Sequence, residues 1–236
     1  MVAAPRGEAA PCPMSLHEAD MHDEYESIAP LYDPVTAPAL WAVRRRIAAL
    51  LAGFGAARVL DLCCGTGRQF LTLPPCVARA VGVDASAAML AVARRACPPW
   101  VRLLRADAAH LPLAEASFDA VLISFALHEK PHETRLAMLA EALRVAGSRG
   151  RVLITDYALP QSVSARMAGA VAHGVERLAG GEHYRLYRDY MVRGGTTGVL
   201  LTAGHMARRL AWPGWGAIGV YEVRAGACPQ LRAQRL

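Results

Sequence analysis

The chain has 236 residues, a formal net charge of +6, and 54% hydrophobic against 19% charged residues, a composition that excludes global disorder. No uninterrupted apolar run approaches the roughly 20 residues of a membrane-spanning helix, so we expect no integral membrane segment. Lys130 is the only lysine, and the arginines that supply the remaining positive charge are dispersed, so we expect no nucleic-acid partner.

The chain begins with an Ala-rich leader over 1–22, which mixes prolines and charges and lacks the apolar core of a secretory signal. We expect this leader to be disordered and the protein to be cytoplasmic, with a single domain over 23–236. Pro30 and Pro34 are expected to prevent one long helix at the start of the domain. A helical spacing of apolar residues follows over 40–50.

Short apolar runs then alternate with helical patterns, which indicates an α/β fold, a doubly wound parallel sheet with helices on both faces. The five predicted strands of this part are 58–62, 80–84, 100–104, 118–124 and 151–156. Helices are predicted from Ser86 to about Ala96 and over 132–145.

Two further elements are predicted after the fifth strand. Residues 160–200 read as a helical insertion with glycine-rich joints. Residues 207–224 are predicted to form a terminal hairpin that turns at Pro213-Gly214 and completes the sheet.

Four of the five predicted strands carry an acidic residue at or just past their carboxyl ends. These residues are Asp61, Asp84, Asp107 and Asp156. Because open parallel sheets bind ligands at the carboxyl ends of their strands, we expect these carboxylates along one rim of a site. Gly65 and Gly67, in the loop after the first strand, let the backbone approach a ligand closely.

The same loop discriminates between adenosine cofactors. A dinucleotide site favours Gly-x-Gly-x-x-Gly, but Phe70 stands where the third glycine would be. Asp61 lies four residues before Gly65, where a carboxylate would repel a pyrophosphate and attract a cation. An ammonium and a sulfonium, both positive, occur together in S-adenosylmethionine. We therefore expect S-adenosylmethionine as the cofactor.

Six fragments of the chain carry a family resemblance. They are YESIAPLYD at 25–33, VLDLCCGTG at 59–67, VGVDAS at 81–86, ADAAHLPL at 106–113, SFDAV at 117–121 and EALRVAGSRGRVLITD at 141–156. In this order and spacing, the chain resembles a class I S-adenosylmethionine-dependent methyltransferase of the ubiquinone/menaquinone-biosynthesis (methyltransferase type 11) branch. The resemblance implies a Rossmann-like, doubly wound sheet of seven strands with one antiparallel strand.

The resemblance also implies where the cofactor binds. The acid of the first strand would hold the methionine end, that of the second strand the ribose, and that of the third strand the adenine. The implied cofactor-binding residues are Tyr32, Asp61, Cys63, Gly65, Gly67, Asp84, Ala85, Met89, Asp107, Ala108 and Ser124. Cys63 departs from the glycine usual in the family, so we expect a slightly displaced loop that keeps its affinity for the cofactor.

The candidate catalytic residues are two histidines. His128 lies just past the fourth strand and is the candidate general base, with packing or an orienting contact to the substrate as the alternative. His183, in the insertion, is the reserve candidate. In related enzymes the insertion covers the acceptor, so Tyr184 and Tyr187 are candidate substrate contacts; the alternative is an amphipathic lid helix with solvated arginines.

The segment HEKPH at 128–132 matches the zinc-protease pattern His-Glu-x-x-His. That pattern requires both histidines on one continuous helix, and Pro131 lies between them. The six cysteines contain no Cys-x-x-Cys pair, which argues against zinc ribbons and thioredoxin-like sites. We therefore expect no metal ion.

Together these observations predict methyl transfer from S-adenosylmethionine to a small-molecule acceptor by in-line displacement. The rival classes are a nicotinamide-dependent oxidoreductase on the same sheet and a methyltransferase-like binding protein without turnover. A homodimer is compatible with the sequence.

Overall fold

The computed structural model describes residues 29–178 and 180–224, and the side chains within them except those of 29–39 and 175. In chain order the helices and strands are α1 (Ala29–Phe54), β1 (Arg58–Leu62), β2 (Arg79–Asp84), α2 (Ala87–Ala96), β3 (Arg102–Arg105), β4 (Ala120–Ser124), α3 (His132–Ala146), β5 (Arg151–Tyr157), α4 (Val163–Leu178), α5 (Gly181–Val192), α6 (Gly195–Thr202), β6 (Arg208–Ala211) and β7 (Ile218–Val223).

The strands form a sheet in the order β3-β2-β1-β4-β5-β7-β6. The first five strands pair in parallel, and β7 runs antiparallel to both of its neighbours, β5 and β6. Within the described ranges β7 is the single antiparallel strand, which confirms the predicted seven-stranded architecture. The strand order reverses between β1 and β4, and a ligand of such a sheet binds at that point.

The core consists of two apolar clusters that the alternation of strand side chains separates. Val59 packs in one cluster and Leu60 in the other, and the same alternation holds for Leu122 and Ile123 on β4. Helix α3 packs with the cluster of Leu60, whereas α1 packs with that of Val59. The sheet is thus covered on both faces, and the edge formed by the strand ends remains for a ligand.

Helix α1 is the clearest departure from the sequence-based expectation. It begins at Ala29 and continues to Phe54, through Pro30 and Pro34. Pro30 lies in the first turn, where its missing N–H is not needed. Pro34 forfeits one i→i−4 hydrogen bond, but the following turns continue, so the expected interruption was wrong.

The other boundaries lie close to the predicted ones. Strand β3 begins at Arg102 rather than at Trp100, whose side chain is half exposed. The predicted terminal hairpin is confirmed, since β6 and β7 pair and a short 3-10 turn, Gly214–Gly216, connects them. Three helices, α4 to α6, occupy the predicted insertion. None of the helices in the described ranges combines the length and apolar character needed to cross a membrane.

Candidate cofactor and acceptor site

A cavity of about 480 Å³ lies at the carboxyl ends of the central strands. Nine of the predicted cofactor-binding residues line it: Asp61, Cys63, Gly65, Asp84, Ala85, Met89, Asp107, Ala108 and Ser124. Tyr32 falls within α1, but its side chain lies outside the described residues. The fold therefore brings together Asp61, Asp84 and Asp107, three of the four acids that the sequence places along one rim.

Asp84, the last residue of β2, ties the loop after β1 to its own strand. Its Oδ2 accepts a hydrogen bond from the backbone N–H of Gly65 at 2.7 Å, and its Oδ1 accepts one from Ser86 at 2.9 Å. Ser86, not Asp84, caps α2, because its hydroxyl accepts the N–H of Met89. Burial raises the pKa of Asp84. The carboxylate thus faces the cavity with lone pairs left for a ligand.

Asp61 is the most buried acid of the cavity, with 3% of its surface exposed. Burial, and then the neighbouring charge of Asp84, raise its pKa to about 7, while Arg44 on α1 opposes the shift. Two carboxylates that disfavour each other's ionisation are stabilised by a cationic ligand between them. The electrostatics therefore favour a positively charged group at this end of the cavity.

The loop between β1 and the following 3-10 turn has three residues with left-handed backbone. They are Cys63 at φ 55°, Gly65 at φ 53° and Gly67 at φ 74°. For Cys63 this conformation is strained, since its Cβ disfavours it. Gly67 does not line the cavity, and a Cβ there would overlap Sγ of Cys97. Gly67 thus permits close packing of the loop on α2, a structural role beside the predicted binding one.

Asp107 lies two residues past the end of β3, in a turn. Its Oδ1 accepts the N–H of Ala109 at 2.8 Å, and its Oδ2 lies 3.1 Å from Nδ1 of His110. Ser124, at the end of β4, has a buried hydroxyl oxygen without a hydrogen-bond partner. A buried hydroxyl in a cavity wall is stabilised when a ligand supplies the missing hydrogen bond.

His128 lies in the short 3-10 turn Leu127–Glu129 that follows β4. Its Nδ1 lies 2.8 Å from Oδ1 of Asp156, and this oxygen also accepts the backbone N–H of Tyr157. Oδ2 of Asp156 accepts the backbone N–H of Leu127. Burial acts to lower the pKa of His128, but Asp156 outweighs it and raises the pKa to about 9. Asp156 therefore departs from the expected rim. It does not line the cavity, because its oxygens are used by this turn.

His183 reaches the same turn from α5. Its Nε2 lies 2.6 Å from Oε2 of Glu176 on α4, and its ring centroid lies 5.7 Å from that of His128. The hydroxyl of Tyr157 donates to Oε1 of Glu176 at 2.6 Å. The structure thus brings the two candidate histidines together, in a buried network beside the cavity. Glu129, which follows His128, lines the cavity itself.

The two candidate tyrosines of α5 occupy different positions. Tyr187 is buried, and its ring centroid lies 5.3 Å from that of Tyr157 and 6.3 Å from that of His128. The hydroxyl of Tyr184 is 2.6 Å from Nε2 of His173, and its ring stacks on Tyr187. Tyr187 therefore belongs to the histidine network, whereas Tyr184 lies one layer further out.

Sequence reasoning missed several residues of the cavity wall. They include Arg44, Arg68, Arg105, Glu129, Lys130, Thr134 and Met138. The sequence offered one indication that Arg44 lies near the site, because Arg44 directly follows Val43, a buried residue on the apolar side of α1. In the sequence analysis Lys130 was considered only as the single lysine of the chain. Four cations and four acids therefore line the cavity, which combines both signs of charge; they are Arg44, Arg68, Arg105 and Lys130, and Asp61, Asp84, Asp107 and Glu129.

Comparison with known proteins places this geometry in a family. Residues 59–150 match a methyltransferase domain. The chain is 31% identical to the demethylmenaquinone methyltransferase of Thermobifida fusca over 202 residues, covering 81% of this chain and 83% of that protein. It is 40% identical over 124 residues to the enzyme of the same name from Clavibacter sepedonicus, covering 51% and 49%. The chain thus spans about half the length of some relatives it matches.

A solved structure supports the fold. The magnesium protoporphyrin IX methyltransferase of Synechocystis PCC 6803, solved with bound SAH, superposes with a TM-score of 0.56 at 19% identity, covering 78% of this chain and 83% of that one. The order of the strands, the acids at their ends and the long match to the Thermobifida fusca protein all indicate the same family. The chain therefore belongs to the class I S-adenosylmethionine-dependent methyltransferases, in the ubiquinone/menaquinone-biosynthesis branch.

Proposed function

We propose that this protein transfers a methyl group from S-adenosylmethionine to a small-molecule acceptor. The observation that carries the proposal is the convergence of Asp61, Asp84 and Asp107, from three adjacent strands, on one cavity. The unpartnered hydroxyl of Ser124 in the same wall fits a bound ligand. The space beside Gly65 is open, since a Cβ added there would meet no atom within 4 Å. A ligand can therefore approach the backbone of this residue.

The methionine end of the cofactor carries both an ammonium and a carboxylate. We assign the ammonium to Asp61, whose buried carboxylate requires a cation, and the carboxylate to Arg44, which lies near Asp61 in the same wall. Cys63, Gly65 and the loop to Gly67 bound this end, and Ser124 lies beneath it. Tyr32 keeps its predicted role of covering the methionyl group from α1.

The nucleoside half occupies the opposite part of the cavity. We assign the ribose hydroxyls to Asp84 and the adenine to Asp107 and Ala108. Ala85 and Met89, at the start of α2, form the wall beside the ribose. Asp107 caps a turn through Oδ1. Its Oδ2, which lies 3.1 Å from Nδ1 of His110, keeps a second lone pair that can accept from the adenine amino group.

The acceptor side lies between the turn after β4 and the insertion helices α4 and α5. We propose that the insertion acts as a lid and that Tyr187 and Tyr184 contact the acceptor. Since several relatives are named demethylmenaquinone methyltransferases, a demethylmenaquinone is the first acceptor to test. A cavity of about 480 Å³ suits a small molecule better than a nucleic acid. The proposal also includes a homodimer.

The protein's own contribution to the reaction is alignment. The sulfonium of the bound cofactor supplies a leaving group, so the chain mainly holds the acceptor atom in line with the methyl group and keeps water out. His128 is buried and its Nδ1 is held by Asp156 at 2.8 Å, which suits the orienting contact better than proton removal. We assign removal of a proton, where the acceptor carries one, to His183.

The cofactor assignment is tested by thermal shift and calorimetry with SAH and with NAD. We expect binding and a raised melting temperature with SAH and no response to NAD, because Phe70, 2% exposed, fills the position of a third glycine. Transfer of a labelled methyl group to a demethylmenaquinone then separates an enzyme from a binding protein. Binding of NAD, or SAH binding without transfer to any acceptor in a cell extract, contradicts the proposal.

Affinity for SAH is expected to fall as the pH decreases through about 7. In the free protein Asp61 has a pKa of about 7, so at lower pH the carboxylate is protonated and its attraction for the ammonium is lost. The loss approaches about tenfold per pH unit below that value. Calorimetry at about pH 6 and about pH 8 measures it. The Asp61→Asn variant is the control, and an equally steep pH dependence in this variant would refute the assignment.

A further inference from the structure

Three side chains that can ligate a metal ion meet beside the cavity. His128, Glu129 and His183 each offer one ligand atom, and these atoms all lie within 4.8 Å of one another. Two come from the turn after β4 and the third from α5 of the insertion. The side chains of His128, Glu129 and His183 are 5%, 14% and 28% exposed, so the centre of the cluster is largely shielded from water.

A carboxylate holds the outer nitrogen of each histidine. Nδ1 of His128 lies 2.8 Å from Asp156, so this nitrogen carries the hydrogen and Nε2 is left towards the cluster. Nε2 of His183 lies 2.6 Å from Glu176, while its Nδ1 is turned to Glu129 at 3.9 Å. Metal-binding histidines typically donate their second N–H to a carboxylate, which fixes the ring and raises its basicity. His128 has this arrangement, and His183 has a carboxylate within reach for it.

Glu176 supplies an independent observation. The residue is 5% exposed, and its buried Oε2 lies 2.6 Å from Nε2 of His183 without a well-aligned hydrogen bond. An ion bound to Nδ1 of His183 would leave the hydrogen on Nε2, the nitrogen nearest to Glu176. A small rotation of the ring would then give the buried oxygen the donor that it lacks.

We propose that His128, Glu129 and His183 form a binding site for a divalent transition-metal ion. Two imidazole nitrogens and one carboxylate oxygen favour Zn²⁺, Fe²⁺, Mn²⁺ or Co²⁺ over Mg²⁺ and Ca²⁺, which prefer oxygen ligands. The expectation of no metal was based on the separation of His128 from His132 by Pro131. His132 indeed begins α3, and His183, distant in sequence, supplies the second imidazole.

Such an ion would link the insertion to the turn after β4. It would lie at the wall of the cavity, because its ligand Glu129 lines the cavity. The proposal does not depend on methyl transfer, since the ligands and their carboxylate partners are all residues of this chain. It does bear on the proposed role of His183, because a nitrogen that ligates an ion is not free to take a proton. Metal loading and proton removal by His183 are therefore mutually exclusive.

The test is titration of the full-length, chelator-treated protein with Zn²⁺ by calorimetry and with Co²⁺ by visible absorption. We expect one ion per chain and a cobalt spectrum without a thiolate charge-transfer band, since the ligands are nitrogen and oxygen. His183→Gln and Glu129→Gln are each expected to weaken binding by at least about tenfold. The matched control is His173→Gln, which removes a lid histidine outside the cluster and is expected to bind like the parent.

The proposal would be overturned if the parent protein bound no ion, or if His183→Gln and Glu129→Gln bound it as tightly as the parent does. A thiolate band would also overturn it, because it would place the ion on cysteines such as the exposed Cys76. Circular dichroism checks that each variant is folded. SAH affinity, measured on the same samples, shows separately whether the cofactor assignment holds, so failure of the metal site and failure of the proposed function are distinguishable.

Discussion

Replacement of Asp84 by asparagine is expected to weaken SAH binding by about 10- to 150-fold, which corresponds to about 1.5–3 kcal/mol. The variant keeps the shape of the side chain but loses the charge that accepts the N–H groups of Gly65 and Ser86 and that we assign to the ribose hydroxyls. One amide group can accept through its oxygen only, so either the loop or the ribose loses a partner.

Calorimetry with SAH measures this effect directly. Glu133→Gln, an exposed change in the first turn of α3, is the control for loss of a negative charge elsewhere. We expect the Asp84 variant to remain folded, since its carboxylate is at the sheet edge rather than in the apolar clusters. An affinity within about twofold of the parent's, that is about 0.4 kcal/mol, would remove Asp84 from the ribose site.

Replacement of Arg135 by alanine is expected to lower the free energy of unfolding by about 3 kcal/mol. Arg135 on α3 is fully buried and donates to the carbonyl oxygens of Leu127 and Leu186 and to Asp189, each at 2.8 Å. Its guanidinium also lies 5.3 Å from the ring of Tyr190. The variant leaves two carbonyl groups without these donors and a cavity at the junction of α3, α5 and the turn that holds His128.

Urea unfolding and thermal melting measure the loss, which corresponds to a melting temperature lower by about 6–12 °C. The control is Arg193→Ala. Arg193 also pairs with Asp189, but half of its side chain is exposed, so a cost of about 0.5 kcal/mol is expected. If the two variants are equally stable, Arg135 does not fasten the insertion to α3. We also expect slower methyl transfer by the Arg135→Ala variant, because Arg135 donates to the carbonyl oxygen of Leu127, the residue before His128.

Local sequence patterns were sufficient for the strands of the sheet and for the acids around the cavity at their carboxyl ends. The short apolar runs that form β1 and β4, the glycines after β1 and the acids at the strand ends are properties of short segments. In an open parallel sheet the carboxyl ends of all strands meet at one edge. Knowing the strands was therefore enough to place Asp61, Asp84 and Asp107 around one cavity, without any knowledge of side-chain contacts.

Tertiary structure alone decided the acceptor half. His128 and His183 are 55 positions apart in the numbering, and no periodicity relates a turn after β4 to the first turn of α5. Their meeting depends on how the insertion packs, which Arg135 and Asp189 help to determine across 54 positions. Asp156 shows the same limit. Its place at the end of β5 followed from the sequence, but the partner it binds depended on the path of the chain after Ser124. Packing geometry decides which side chains of distant segments meet. The local pattern of a sequence contains no information about that geometry.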